Sequence, residues 1–116
     1  MSNKYHNIKV EVDGYKFDSK KEAEFYQDLL LLKRSGELLD FEVHPKIILQ
    51  EGFKFNGKKI QQITHSPDFI LYWEGGTEFI DVKGGKATQT QAWRLKWKLL
   101  MFKYRGDEKS YMFTVV

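Results

Sequence analysis

The stretch from Ser66 to Gly84, SPDFILYWEGGTEFIDVKG, constrains the fold more than any other part of this sequence. Phe69 to Trp73 is an aromatic and β-branched run, Glu74-Gly75-Gly76 is a turn signal, and Phe79 to Val82 is a second apolar run. Together they predict a buried β-hairpin. Side chains alternate across a strand, so Phe79, Asp81 and Lys83 share one face while Ile80 and Val82 share the other. On the preceding strand Asp68, Ile70 and Tyr72 point the same way as one another. Pairing of the two strands brings Asp68 towards Asp81, with Lys83 beside them. Two carboxylates and an ammonium at the polar end of an apolar hairpin suit a divalent cation, because Mg²⁺ takes a few carboxylate oxygens plus waters.

The acid-x-Lys pattern is common and occurs three times, as Asp18-Ser19-Lys20, Asp81-Val82-Lys83 and Asp107-Glu108-Lys109. The first lies at a helix start and the third in a turn, where solvated charge is ordinary. Only the middle copy closes a strand of buried character and follows a strand that begins Pro67-Asp68. Its plain alternative is a solvated strand end.

Upstream, Ile8 to Val12 alternates, Asp13-Gly14 marks a tight turn and Tyr15-Lys16-Phe17 answers it, which predicts an N-terminal β-hairpin after a polar start at Met1 to Asn7. Ser19 with Glu22 three residues on is a capping box, and Gly36 is a C-terminal helix signal, so a first helix runs to about Leu32. Its apolar side holds Phe25, Tyr26, Leu29, Leu30 and Leu32, with Ala23 at the margin and Glu24, Gln27 and Asp28 opposite. Glu22 projects from that apolar side. Burying an unpaired carboxylate is expensive, so Glu22 either only closes the capping box or adds a third acid to the Asp68 and Asp81 pair.

Phe41 to Gln50 reads as a strand interrupted by Pro45, hence an edge or bulged one. Phe53 to Phe55, Asn56-Gly57 and Lys58 to Ile63 read as another hairpin. His65 is expected as a hydrogen-bonding neighbour of the acidic pair rather than a ligand. Gly84 to Thr88 is a basic turn, and a second helix spans about Thr90 to Tyr104. It is apolar on two sides, with Ala92, Leu95, Leu99 and Phe102 on one and Trp93, Trp97, Leu100, Met101 and Tyr104 on the other. Such a helix wants two partners: the sheet, and either the first helix or another subunit. Ser110 to Val116 is expected as a final buried strand. Helices alternating with strands in one unit of 116 residues predict a single domain, residues 1–116, with an α/β (α+β) core and a mixed sheet.

Composition narrows function. The chain has no Cys, so disulfide frameworks, zinc ribbons and thiol nucleophiles are excluded. There is no HExxH, which leaves a metalloprotease without support. No run reaches 18 apolar residues and no charged-then-apolar leader opens the chain, so a cytoplasmic location without membrane partners is the expectation. A net charge of +3 permits nucleic-acid binding without requiring it.

Glu22 in the first helix, Pro67-Asp68 opening a strand, Asp81-Val82-Lys83 on the next strand, and then a helix: this order resembles the PD-(D/E)xK nuclease superfamily. The wording KYHNIKVEVDGYKFDSKKEAEFY near the start and DVKG later looks like a family of small phage proteins similar to phage endonuclease I-type Holliday-junction resolvases. The resemblance covers nearly the whole chain. It implies a restriction-endonuclease-like core and Mg²⁺-dependent (or Mn²⁺-dependent) hydrolysis of DNA phosphodiesters, with one or two ions per site. Asp68 and Asp81 would hold the cation, with the Val82 carbonyl as a further ligand and Glu22 completing the acidic set. Lys83 would orient or help deprotonate the attacking water. Lys20, Lys21, Lys86, Arg94 and Lys98 are the candidate phosphate contacts, since no long basic arm is present. Symmetric cutting of a four-way junction implies a C₂ homodimer, for which the spare side of the second helix and the opening hairpin are candidate surfaces. The rivals are a nicking, flap or restriction-like endonuclease on the same site, and a non-catalytic DNA-binding accessory protein of phage replication or recombination.

Overall fold

A computed structural model describes residues 9–83 and 89–116. In chain order the elements are β1 (Val10–Val12), β2 (Tyr15–Phe17), α1 (Lys20–Ser35), β3 (Asp40–Val43), β4 (Ile47–Gln50), β5 (Phe53–Phe55), β6 (Lys58–Ile60), β7 (Ile63–His65), β8 (Phe69–Trp73), β9 (Gly76–Asp81), α2 (Gln91–Lys103) and β10 (Tyr111–Val115). A short 3₁₀ turn at Arg105–Asp107 joins α2 to β10.

The centre is a mixed four-stranded sheet in the order β10-β9-β8-β3. β8 runs antiparallel to both β3 and β9, and β10 is parallel to β9. The β8–β9 hairpin turns on Glu74-Gly75 alone, because Gly76 already pairs with Trp73 as the first residue of β9. Gly76 must be glycine there: a Cβ would stand 2.8 Å from the Ser110 carbonyl oxygen.

Alternation along β8 and β9 gives each face of the sheet its own core. Phe69, Leu71 and Ile80 meet Ala23, Tyr26 and Leu29 of α1, together with Phe17 and Leu38. Ile70 and Phe79 point the other way, onto Trp97 and Leu100 of α2 and Ile47 of β4. The two helices thus lie on opposite faces, so the second apolar side of α2 does not find α1. Leu95, Met101 and Phe102 are exposed instead.

Local chemistry accounts for the element ends. Asp13 (φ 53°) and Gly14 (φ 84°) make the left-handed pair that a two-residue hairpin needs, as do Asn56 and Gly57 between β5 and β6. Ser19 Oγ accepts from the Glu22 N–H at 3.1 Å to start α1, and left-handed Gly36 stops it by donating to the Lys33 carbonyl. Thr90 caps α2 by accepting from the Trp93 N–H.

Four expectations need correction. Ala23 is buried within the α1 core, not at its margin, packed among Phe17, Tyr26, Leu29 and the β8 residues Phe69 and Leu71. Lys58 to Ile63 does not form one strand: β6 ends at Ile60, and Ile63 belongs to β7, which pairs with the bulged β4. Phe41 to Gln50 is two strands rather than one, since the interruption at Pro45 is complete; the expected edge and bulge are both present, β3 at the edge of the main sheet and the bulged β4 in a separate ribbon. The final strand, β10, is an edge strand with Met112 and Val115 exposed rather than a buried one.

Candidate metal centre

The polar ends of β8 and β9 meet the N-terminus of α1 and the segment after β3. Asp68, the residue before β8, sends one carboxylate oxygen (Oδ2) to the Val82 N–H at 2.7 Å. Its own N–H donates to Asp81 Oδ1 at 2.9 Å. The two acids are therefore adjacent, as the hairpin register predicts, but their carboxylates serve different purposes.

Asp81 faces α2 and is 2% exposed. Besides the Asp68 N–H, it accepts from Trp93 Nε1 at 2.7 Å and faces His65 Nε2 at 3.3 Å. Its buried charge is met by surrounding N–H groups, which is how a buried carboxylate is tolerated. His65, itself buried, is a hydrogen-bonding neighbour of Asp81, in keeping with the sequence reading.

Asp68 instead reaches the α1 side. Glu22 is 3% exposed and splits its two oxygens: Oε1 accepts from the Asp18 N–H at 2.9 Å and Oε2 faces His44 Nε2 at 3.2 Å. The capping role of Glu22 is thus present in a modified form, and its second oxygen faces His44. Glu22 closes a variant capping box, one residue further back than the usual form, while its other oxygen is left for the cluster. Ligand atoms of Glu22, His44 and Asp68 all lie within 4.8 Å of one another, and this is the group of metal-ligating type among the described residues. Asp81 is not part of it.

This crowding acts on the Asp68 carboxyl. Burial, first, and a hydrogen bond shared with Glu22 push the Asp68 carboxyl up to about 8, with the charges of Asp81 and Glu22 adding to the effect. The Val82 N–H pulls the other way and loses. The Asp68 carboxyl is thereby held well above the ordinary carboxylate range. Glu22, Asp68 and His44 are of the residue types that could hold a divalent cation.

A family model described as "Protein of unknown function (DUF1064)" matches residues 2–115. The chain belongs to this family. Comparison with curated proteins and with solved structures found no match. In this DUF1064 member the remaining expected site residues are spread around the cluster. Lys83 forms no ion pair with Asp68 or Asp81; its ammonium lies 4.9 Å from the centre of the Trp93 ring, the same indole that donates to Asp81. Its backbone is fixed by the Val116 carbonyl, which accepts from the Lys83 N–H, and by Lys21 Nζ, which donates to the Lys83 carbonyl at 3.0 Å. Val82 engages the site through its N–H. Lys20 and Lys21 are exposed at the start of α1, and Arg94 and Lys98 are exposed on α2. Lys86 and the Gly84 to Thr88 turn, like Met1 to Asn7, lie outside the described residues.

His44 and Trp93 are the site residues that sequence reasoning missed. His44 does carry a signal: it precedes Pro45 at the break between β3 and β4, and it adopts a left-handed φ of 51°, uncommon for a residue with a side chain. Its N–H donates to the Asp68 carbonyl at 2.9 Å, so the backbone that breaks the strand also brings the imidazole to the acids. Trp93 is one of the aromatic positions on α2, and only the fold brings its indole N–H to Asp81.

Proposed function

We propose that this protein is a metal-dependent, structure-selective DNA endonuclease that hydrolyses phosphodiester bonds at branched DNA, a four-way junction being the favoured substrate. The observation that carries the reading is the crowding of Glu22 against Asp68, a buried and a half-buried acid contributed by α1 and by the residue before β8. These are positions at which the sequence resembles PD-(D/E)xK nucleases. A cation bound there supplies positive charge to the phosphoryl oxygens and lowers the pKa of water.

The chain's own residues do the rest. Glu22 and Asp68 hold the cation, with the Val82 carbonyl available as a further oxygen. Asp81 fixes the Asp68 backbone and Trp93, so its part is to position as much as to bind. Lys83, parked over Trp93, has a flexible stem that lets it swing to a phosphate and steady the attacking water. Lys20, Lys21, Lys86, Arg94 and Lys98 add salt-dependent contacts to the DNA backbone. The exposed Leu95, Met101 and Phe102 line a groove of about 770 Å³ together with Tyr111 and Phe113 of β10. This groove also carries Arg105 and Glu108, charges of opposite sign that a two-fold axis would pair. A homodimer through this side would offer two cutting centres in symmetry. Among the described residues no helix is long and apolar enough to cross a membrane, and work on DNA places the protein in the cytoplasm, that of the host cell if phage-encoded.

One observation favours a second reading. Both oxygens of Asp81 are engaged by the protein, Oδ1 by the Asp68 N–H and Oδ2 by Trp93 Nε1 with His65 Nε2 beside it, as in a structural carboxylate, which suits a non-catalytic DNA-binding protein. Cleavage separates the two. A labelled four-way junction and a matched linear duplex are incubated with Mg²⁺, Mn²⁺ or EDTA, using wild type and Glu22→Gln. Paired symmetric cuts on the junction, abolished by EDTA and slowed roughly a hundredfold in Glu22→Gln, are expected. Equal cutting of duplex leaves a nuclease without junction preference, such as a nicking, flap or restriction-like enzyme. Junction binding with no metal-dependent cutting overturns the proposal in favour of the accessory protein.

A further inference from the structure

The third member of the cluster is an imidazole, and it does not belong to the acid-acid-lysine pattern on which the resemblance rests. From its placement we infer that His44 is a cation ligand and that the centre takes a first-row transition cation, Mn²⁺ or one beyond it in the series, in preference to Mg²⁺. The inference rests on the cation-binding part of the proposed function.

His44 is built into the cluster by the backbone. Its N–H donates to the carbonyl of Asp68, so the two residues are tied where β3 ends and β8 begins. Its ring lies 5.6 Å from that of Phe17, a fully buried side chain. Nε2 is turned to Glu22 Oε2 at 3.2 Å. The Glu22 side chain is 4% exposed but that of His44 is 38% exposed, so the cluster is closed on the acid side and open on the imidazole side. A cation arriving from solvent meets His44 before it meets Glu22.

The contrast with His65 shows that this is not simply how a histidine packs in this fold. His65 faces an acid at nearly the same distance, yet it is buried and its acid is already bonded to two other N–H groups. Glu22 Oε2 has His44 as its hydrogen-bond partner, and the ligand atoms of Glu22, His44 and Asp68 lie within 4.8 Å of one another. To bind, His44 presents the Nε2 lone pair by carrying its proton on Nδ1, and the acids bind as carboxylates. Two oxygens and one nitrogen then face the ion. Mg²⁺ prefers oxygen throughout and holds its waters tightly, whereas first-row transition cations gain from an imidazole.

The test uses the full chain with Mn²⁺ as probe. Free Mn²⁺ is followed by electron paramagnetic resonance, Mg²⁺ by competition, and the bound Mn²⁺ is examined by pulsed measurements for coupling to ¹⁴N. The variants are His44→Asn and His44→Gly, since both residues tolerate the left-handed backbone at this position. Wild type is expected to bind Mn²⁺ at least about tenfold more tightly than Mg²⁺ with clear ¹⁴N coupling; both variants lose the coupling, and the preference falls by about tenfold. Bound Mn²⁺ without nitrogen coupling, or an unchanged preference in both variants, overturns the inference. If the junction is still cut in a metal-dependent way, the nuclease reading survives that result. If Mn²⁺ binds through nitrogen but no DNA is cut, the inference stands and the nuclease reading fails. Absence of any cation binding overturns both.

Discussion

Two histidine–carboxylate pairs lie at the same end of this small sheet, and they have opposite characters. His65 and Asp81 are 3.3 Å apart and sealed under α2; His44 and Glu22 are 3.2 Å apart and open on one side. In the first pair the acid is met from several directions, by the Asp68 N–H, the Trp93 indole and His65. In the second, Glu22 is crowded by a further acid, Asp68, which responds by keeping its proton up to about 8. A carboxylate supplied with donors can stay ionised when buried, and it then acts as a structural anchor. One supplied with another carboxyl needs a proton or a cation. The same residue types thus build a keystone on one side of the hairpin and an acid-rich cluster, open at its imidazole, on the other.

The sharpest way to break this distinction is Asp81→Ala. It strips the acceptor from a buried indole N–H, a buried histidine and a strand-end amide. Unfolding in denaturant is expected to show a loss of about 4 kcal/mol, whereas Glu22→Gln, which keeps an amide oxygen for Asp18, should stay close to wild type. If the two variants lose stability equally, the division into anchor and site is wrong. A loss of activity in Asp81→Ala alone therefore says little about metal, which is why Glu22→Gln is the better probe of cleavage.

The second effect is a pH dependence. Without metal, the Asp68 carboxyl ionises near 4 in the unfolded chain and near 8 in the folded one. Between those values the unfolded state releases a proton that the folded state keeps, so stability contributed by this group is full below about pH 4 and is lost as pH rises towards 8. Asp68→Asn has nothing to ionise. Its stability relative to wild type should rise steadily across this window, in thermal melts with EDTA. Saturating Mn²⁺ should reverse the order, because the wild-type carboxylate then has its counter-charge. Parallel pH profiles for the two proteins would remove the crowding on which the site is argued.

Trp93→Phe probes the anchor more gently. The ring under Lys83 remains, and only the N–H to Asp81 is lost. A loss of about 1.5 kcal/mol is expected, with cation binding at Glu22 and Asp68 nearly unchanged. A large drop in cation affinity would mean that the two pairs act as one unit.

What could be read from the sequence follows the range of the interactions. The hairpin turns at Asp13-Gly14 and Asn56-Gly57, the Ser19 cap and the span of α2 depend on a few neighbouring residues, and their positions stand in the sequence. So does the alternation that puts Ile70 and Phe79 on one face and Phe69 and Ile80 on the other. The pairing of β4 with β7 and the parallel β10 at the sheet edge are set by distant partners, and short strands of three to five residues carry little register information of their own. At the site, Glu22 stood out as an acid on an apolar face, whereas His44 looked like part of an interrupted strand. Nothing local shows that its backbone will bond to Asp68. The direction of Lys83 was equally hidden, since a strand position gives the face of a lysine but not the indole its long stem will choose.

The smallest effect concerns the link between helix start and site. Ser19 Oγ accepts the Glu22 N–H while Glu22 Oε1 accepts the Asp18 N–H, so the cap holds the acid and the acid holds the cap. Ser19→Ala should cost about 1 kcal/mol, the ordinary value for an N-cap. If the cap does no more than that, cation affinity will be unaffected once the protein is folded. If it also aims Glu22 at His44, affinity for Mn²⁺ should fall severalfold at temperatures far below the melting transition, and Ser19→Asp, which restores an acceptor at the cap, should recover it. Titration of Mn²⁺ into the three proteins distinguishes the cases. Recovery by Asp would show that the open pair owes its geometry to the same local chemistry that begins the helix.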